Sequence, residues 1–248
     1  EFSWSSYPTV WAGLLNLTSR RRSIGVPIRT RSQSTFSMVA CTSFNTGNTA
    51  PFPGQDGRFG RDAMAAVGKL AKIGGGAAGF DYTKIANDGR DLDAGAALGT
   101  NPTDWACTRD NITGLIWEVK VTDASHLRHR LWTYTWYDSN TDTNGGSAGL
   151  PDTGVRVGSD SCLNASRCDT EQFVADVNSG AGLCGHSDWR LPTRGELLTL
   201  VHAGTVDPSI DTTYFPNTFE SYWSSSPYAQ NPTWAWRVAL GGGHAGPA

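Results

Sequence analysis

The chain has 248 residues, a formal charge of −3 and only 17% charged residues, with 29 glycines and 10 tryptophans. That profile points to a loop-rich fold packed by aromatic side chains and away from a helical bundle. Residues 1–55 hold five arginines against one acid, net +4, and the remainder carries −7. An acidic body argues against a nucleic-acid groove, and no run reaches the roughly 18 apolar residues of a membrane span.

In chain order, the sequence begins Glu-Phe, and "VWAGLLNL" precedes its basic cluster, the reverse of a secretory signal peptide. Residues 1–41 are therefore expected to be a non-native or unstructured leader. Residues 42–103, rich in Gly, Ala and Asp, read as the N-terminal part of one domain, with a helix expected over 62–73 before the glycines at 74–76. Residues 104–248 carry the sharper signals and are expected to form the core of the domain. Aromatic and β-branched runs predict strands over 113–120 and 131–138, followed by a long polar loop over 140–160.

"CDTEQFVADVNSG" predicts a helix with Asp169 as N-cap, Gln172 at N3, a buried stripe of Phe173, Val174 and Val177, and Gly180 as the stop. "SDWRLPTRGELLTLV" predicts another. Pro192 keeps the helix from starting early, and Thr193 and Glu196 form a capping box. Leu197, Leu198, Leu200 and Val201 form its stripe, with His202 in the last turn and Gly204 as C-cap. Strands are expected again over 222–226 and 234–240. Strands, two helices, then strands make an α+β order, unlike the βαβ alternation of nucleotide-binding folds.

The cysteines stand at 41, 107, 162, 168 and 184. None forms a C-x-x-C pair, so disulfides in an exported protein are the better reading than zinc; the connectivity stays open and one thiol is left over.

Several stretches bear on chemistry. "DSNTDTNGG" places Asp138, Asn140, Asp142 and Asn144 at alternate positions, a set of hard oxygens that suits Ca²⁺, although Thr143 and Gly149 stand where an EF-hand needs its glycine and its glutamate. A solvated loop is the competing reading. "GGSAG" matches G-x-S-x-G at Ser147, with Asp188 or Asp207 and then His244 as partners, but neither an apolar strand nor a helix flanks it. His126 and His129 with Asp123 suit a metal only if the segment is helical, and a polar loop fits better. Asp207 with Asp211, or Asp110 with Glu118, are the carboxylate pairs open to glycoside hydrolysis. The strongest ligand face is "YWSSSPYAQNPTWAWR", where Tyr228, Gln230, Asn231, Trp234 and Arg237 are the outward set. Sugars stack on aromatic rings and bond amides through their hydroxyls, while Trp223 and either Trp234 or Trp236 should point inward.

"RDNITGLIWEVK", "CDTEQFVADVN", "GLCGHSDWRLPTRGELLTLV", "DPSIDTTYFPNT" and "YWSSSPYAQNPTWAWRVAL" together resemble the bacterial family named for the C-terminal domain of the Legionella collagen-like adhesin, over roughly residues 55–240. "WRLPT" before a helix also looks like the formylglycine-generating enzyme group. The resemblance implies a C-type-lectin-like fold with two helices, a small twisted antiparallel sheet and long loops. It also implies a secreted or cell-surface carbohydrate-binding module without catalytic activity, with a glycan or polysaccharide as partner and self-association open to it. The alternatives are a hydrolase, through Ser147 or a carboxylate pair, and a self-associating surface module. Two departures stand out. Family sequences continue past the equivalent of Gly243 into a final strand bearing a Cys, so an open sheet edge and an unpaired Cys107 are expected here. No Cys follows Cys184, so the reactive pair of the formylglycine-generating enzymes has no counterpart.

Overall fold

The computed structural model describes residues 11–12, 60–152, 162–218 and 220–248. Its elements are β1 (Trp11–Ala12), α1 (Arg61–Ala66), β2 (Tyr82–Ala86), β3 (Asp91–Leu92), β4 (Trp105–Asp110), β5 (Ile116–Glu118), α2 (Thr170–Val177), α3 (Arg194–Leu198), β6 (Ser221–Pro227), β7 (Ala235–Ala239) and β8 (His244–Pro247). The architecture is α+β, with two sheets where one was expected. The first runs β1-β5-β4-β2-β3 and the second β6-β7-β8. All pairings are antiparallel except that of β1 with β5.

β2, β3 and β4 were not expected, and β4 shows why. Five of its six residues are buried, because both faces of the central strand are covered. Alternation therefore disappears from the sequence. Helix α1 ends seven residues before the expected stop at Ile73. Gly68 turns the chain at φ +68°, its N–H bonds Ala65 O, and Lys69 N–H bonds Met64 O, which closes a Schellman cap.

The helix starts match the sequence, whereas α1 and α3 end earlier than expected. Asp169 accepts from Gln172 N at 2.8 Å, while Gln172 Oε1 has no partner among the described residues, so only half of that box forms. The box at α3 is complete: Glu196 N donates to Thr193 Oγ1 and Thr193 N donates to Glu196 Oε2. The helix stops at Leu198, which is exposed, while Leu200 is buried in the following turn. His202 lies beyond the last turn of the helix. It is buried against the Phe80 ring, its N–H bonds Ser209 O, and its Nδ1 accepts from Gly204 N.

The expected strand over 131–138 is extended but pairs only through isolated bridges, Thr135 with Asp169 and Tyr137 with Gly149. Its amides are shared among three acceptors: Thr135 N bonds Cys168 O, Tyr137 N bonds Thr170 Oγ1, and Asp138 N bonds Ala148 O. The indoles Trp136 Nε1 and Trp223 Nε1 then tie this segment to β6 through Ser224 O and Tyr134 O.

The main core gathers Tyr82, Trp117, Phe173, Phe215, Tyr222 and Val238. A charged group lies inside it. Lys120 Nζ sits 2.9 Å from Glu118 Oε1, both side chains 1% exposed, and the Arg128 guanidinium donates to Ala106 O, Val119 O and Gly99 O. Burial lowers the pKa of Lys120 and brings Arg128 down to about 10.

Two disulfides fasten this framework, Cys107–Cys184 and Cys162–Cys168. Cys107, expected to be unpaired, thus has a partner; Cys41 lies outside the described residues. The C-terminal "HAGP", expected to leave the sheet open after β7, forms β8 and pairs with β7 from Ala239 to Trp236.

Candidate functional site

The β6–β7 pair divides aromatic residues between two faces. Tyr222 lies opposite Val238 and both enter the main core, whereas Trp223 and Ala235 pack with Trp136 in a second, smaller cluster. Strand alternation makes this split: neighbours along a strand point to opposite sides. Trp223 is buried as expected, while Trp234 and Trp236 both stay half-buried.

The β6–β7 connection is a turn closed by its own backbone. Tyr228 N bonds Trp234 O, Asn231 N bonds Tyr228 O, and Trp234 N bonds Asn231 O. It stacks Tyr228 on Trp234 at 6.3 Å with the rings 25° apart, and sets Tyr228 edge-on to Trp236 at 5.3 Å. Trp236 also receives the Arg194 guanidinium, 4.3 Å from the ring centre, from the first position of α3. Tyr228 Oη donates to Gln230 Oε1, and Asn231 Oδ1 accepts from Thr233 N and Oγ1. Four expected residues, Tyr228, Gln230, Asn231 and Trp234, therefore share one turn. Arg237 stands apart from it in β7, paired in register with Trp223 and Gly246.

Trp234 also walls a pocket of about 200 Å³ with Trp136, Trp223, Ser147, Gly149, Leu150, Thr233, Ala235 and Ala248. No charged side chain lines it. Gly149 is required there: a Cβ would lie 2.3 Å from Trp136 O, and its φ is +79°. Trp136 was the missed residue. It lies in the expected strand over 131–138 and packs with Trp223 and Ala235, whereas Tyr134 and Trp132 join the main core.

A larger groove, about 680 Å³, opens beside the pocket between the starts of α2 and α3. Tyr137, Val174, Leu191 and Pro227 form its apolar surface, and Val174 is half-buried there and not in the core stripe. Thr143, Thr193, Ser225 and Ser226 bring hydroxyls. Arg190 is held on Glu196 by two bonds, 2.9 Å and 3.2 Å, so the groove's guanidinium is already paired.

The 138–146 loop folds on its own oxygens. Asp138 Oδ1 accepts from Asn140 N, Asp138 Oδ2 from Thr143 Oγ1, and Asn140 Oδ1 from Asp142 N. Asn144 is buried, donates to Asp138 O and accepts from Gly146 N. These oxygens shape turns, and a cation would compete with the amides for them. Among the described residues no group of three His, Cys, Asp or Glu side chains is placed to hold a metal.

The other candidates are held by local structure. Ser147 lies among turns, without the strand and helix of a nucleophile elbow. Asp110 accepts from Ile112 N and Thr113 Oγ1 and is pushed above its usual range by burial, and Glu118 is paired with Lys120. Asp211 accepts from Ala77 N and Thr213 N, and Asp207 is exposed. His126 sits in a turn, its Nδ1 accepting from Arg128 N, and burial with the nearby Arg128 charge brings it down to about 4. Burial likewise lowers His129.

Residues 106–248 match the family model described as the Lcl C-terminal domain. The chain belongs to that family. Neither the curated proteins nor the solved structures contain a match to it. The Lcl C-terminal domain match begins inside β4, later than the expected residue 55, and runs through β8. Every pocket and groove residue named above lies within it, while β2 and β3, which complete the first sheet, precede it. No helix among the described residues is long and apolar enough to cross a membrane.

Proposed function

We propose that this Lcl C-terminal domain is an exported bacterial carbohydrate-binding module of the adhesin kind, C-type-lectin-like in architecture, that acts without catalysis at the cell surface, in the periplasm or after secretion. The observation that carries the reading is the pocket walled by Trp136, Trp223 and Trp234, which no charged side chain lines. A pyranose offers a C–H face to an indole and hydroxyls to groups such as Ser147 and Thr233, and the lack of charged side chains favours a neutral sugar. Family membership supports a surface role, and two disulfides suit an oxidising compartment.

The test is retention of the protein on a panel of immobilised neutral and sulfated glycans, with and without EDTA, with the supernatants assayed for released sugar. The expected result is retention on neutral glycans without release, weakened about tenfold or more in Trp234→Ala. Released sugar would favour the hydrolase, and retention of sulfated glycans alone, or of none, would overturn the reading. Loss of retention in EDTA would assign Ca²⁺ to Asp138, Asn140, Asp142 and Asn144. One further observation favours self-association: β8 is the edge of its sheet, where a strand from a second copy could add. Sedimentation over a concentration series tests it, and a constant monomer would remove it.

A further inference from the structure

We infer that the groove between the starts of α2 and α3 is a second carbohydrate subsite, which takes several consecutive rings of a neutral oligosaccharide while the tryptophan pocket takes one. This rests on the carbohydrate-binding reading and specifies its ligand as a chain. The first support is size: about 680 Å³ in an open groove against about 200 Å³ in the pocket. The second is the lining, in which Tyr137, Leu191 and Pro227 are interspersed with the hydroxyls of Thr143, Thr193 and Ser225. Sugar rings carry the same mixture of apolar faces and hydroxyl edges.

Charge decides between a neutral and an anionic chain. The groove's cation, Arg190, is already held by Glu196, and the carboxylates of Asp138 and Glu171 accept bonds from the neighbouring loop. No free guanidinium remains among the described lining residues to meet a sulfate or phosphate. The walls are also fixed before any ligand arrives. The Thr193–Glu196 box holds one side and the Asp138–Asn144 turns hold another, which reduces the ordering cost of binding.

The two cavities are lined by neighbouring residues of the same segments. Residues 138–150 give Asp138 and Thr143 to the groove and Ser147 and Leu150 to the pocket, while the end of β6 gives Pro227 to the groove and the residue before β7, Trp234, walls the pocket. Gly145 packs against Pro227 of the groove: a Cβ at this position would come within 2.8 Å of that side chain.

The experiment titrates the full chain with neutral gluco-, manno- and xylo-oligosaccharides from one to six units, for the parent, Tyr137→Ala and Trp234→Ala, with circular dichroism as the fold control. Tyr137 is chosen because its backbone makes the structural bonds to Thr170, leaving its ring to the groove. The expected result is a hexasaccharide bound about tenfold or more tighter than the monosaccharide, a gain that Tyr137→Ala removes without weakening the monosaccharide. Equal affinity for one and six units, or an unchanged gain in folded Tyr137→Ala, would overturn the inference and leave the single-ring reading standing. Binding of no sugar at any length would overturn both. If Tyr137→Ala fails to fold, Ser225→Trp, which fills the groove from β6, replaces it under the same criteria.

Discussion

The two sheets treat their aromatic residues in opposite ways. In the first, Tyr82, Trp105 and Trp117 are sealed beneath helices and loops, with Trp117 fully buried and the Glu118–Lys120 pair beside it. In the second, Tyr222 and Trp223 are sealed, while Tyr228, Trp234 and Trp236 stay half-buried, Trp234 on the wall of the pocket. Buried rings stabilise a fold by the area they remove from water, whereas partly exposed rings leave that free energy available to a ligand. The difference separates scaffold from candidate surface without any appeal to ancestry.

The contrast is broken most directly by removing one ring from each sheet. Trp117→Ala should destabilise the protein by about 3–5 kcal/mol in urea unfolding, because it opens a cavity in a fully buried site. The covalent ties come next. Replacing Cys107 and Cys184 by Ser, a pair 77 residues apart, should cost about 4 kcal/mol, against about 2 kcal/mol for Cys162 and Cys168, which are 6 apart. Equal losses for the two pairs would show that closing a long loop is not what matters here. Trp234→Ala should cost only about 1 kcal/mol of stability while weakening sugar binding, and a loss as large as that of Trp117→Ala would erase the distinction.

The last expected effect is one of pH. His126 is held near 4 by burial and by Arg128, below its ordinary 6.5, so the unfolded chain binds the extra proton first. Stability should therefore fall as pH drops from about 6.5 to about 4, with no further contribution from this group below that. Asp123 and Lys120 also act on it, the carboxylate opposing the shift and the ammonium adding to it. His126→Asn should flatten that part of the pH profile, and an unchanged slope would place the dependence elsewhere.

Helix starts were legible because they are written in side chains: Asp169, and Thr193 with Glu196, form the caps their spacing predicts. Helix ends were less so, since the stop at Gly68 is a matter of backbone conformation and the one after Leu198 follows no glycine. β4 escaped notice because burial on both faces removes alternation, and 131–138 looked like a strand because its alternation serves packing without a ladder. The turn holding Tyr228, Gln230, Asn231 and Trp234 was legible from composition. Trp136, Tyr137 and Leu191 join the cavities through contacts distant in sequence, and no local pattern announces such contacts.

The Cys107–Cys184 bridge has a mechanical consequence. A chain stretched from its two ends cannot lengthen through the loop these cysteines close, a separation of 77 residues, which withholds roughly 260 Å of extension. The tryptophan pocket straddles that boundary: Trp136 and Ser147 lie inside the covalent loop, and Trp223 and Trp234 lie outside it. Tension that peels the C-terminal sheet therefore parts the two walls of the pocket, while the looped segment stays compact. Load on the chain and grip on whatever the pocket holds are coupled by a single sulfur–sulfur bond.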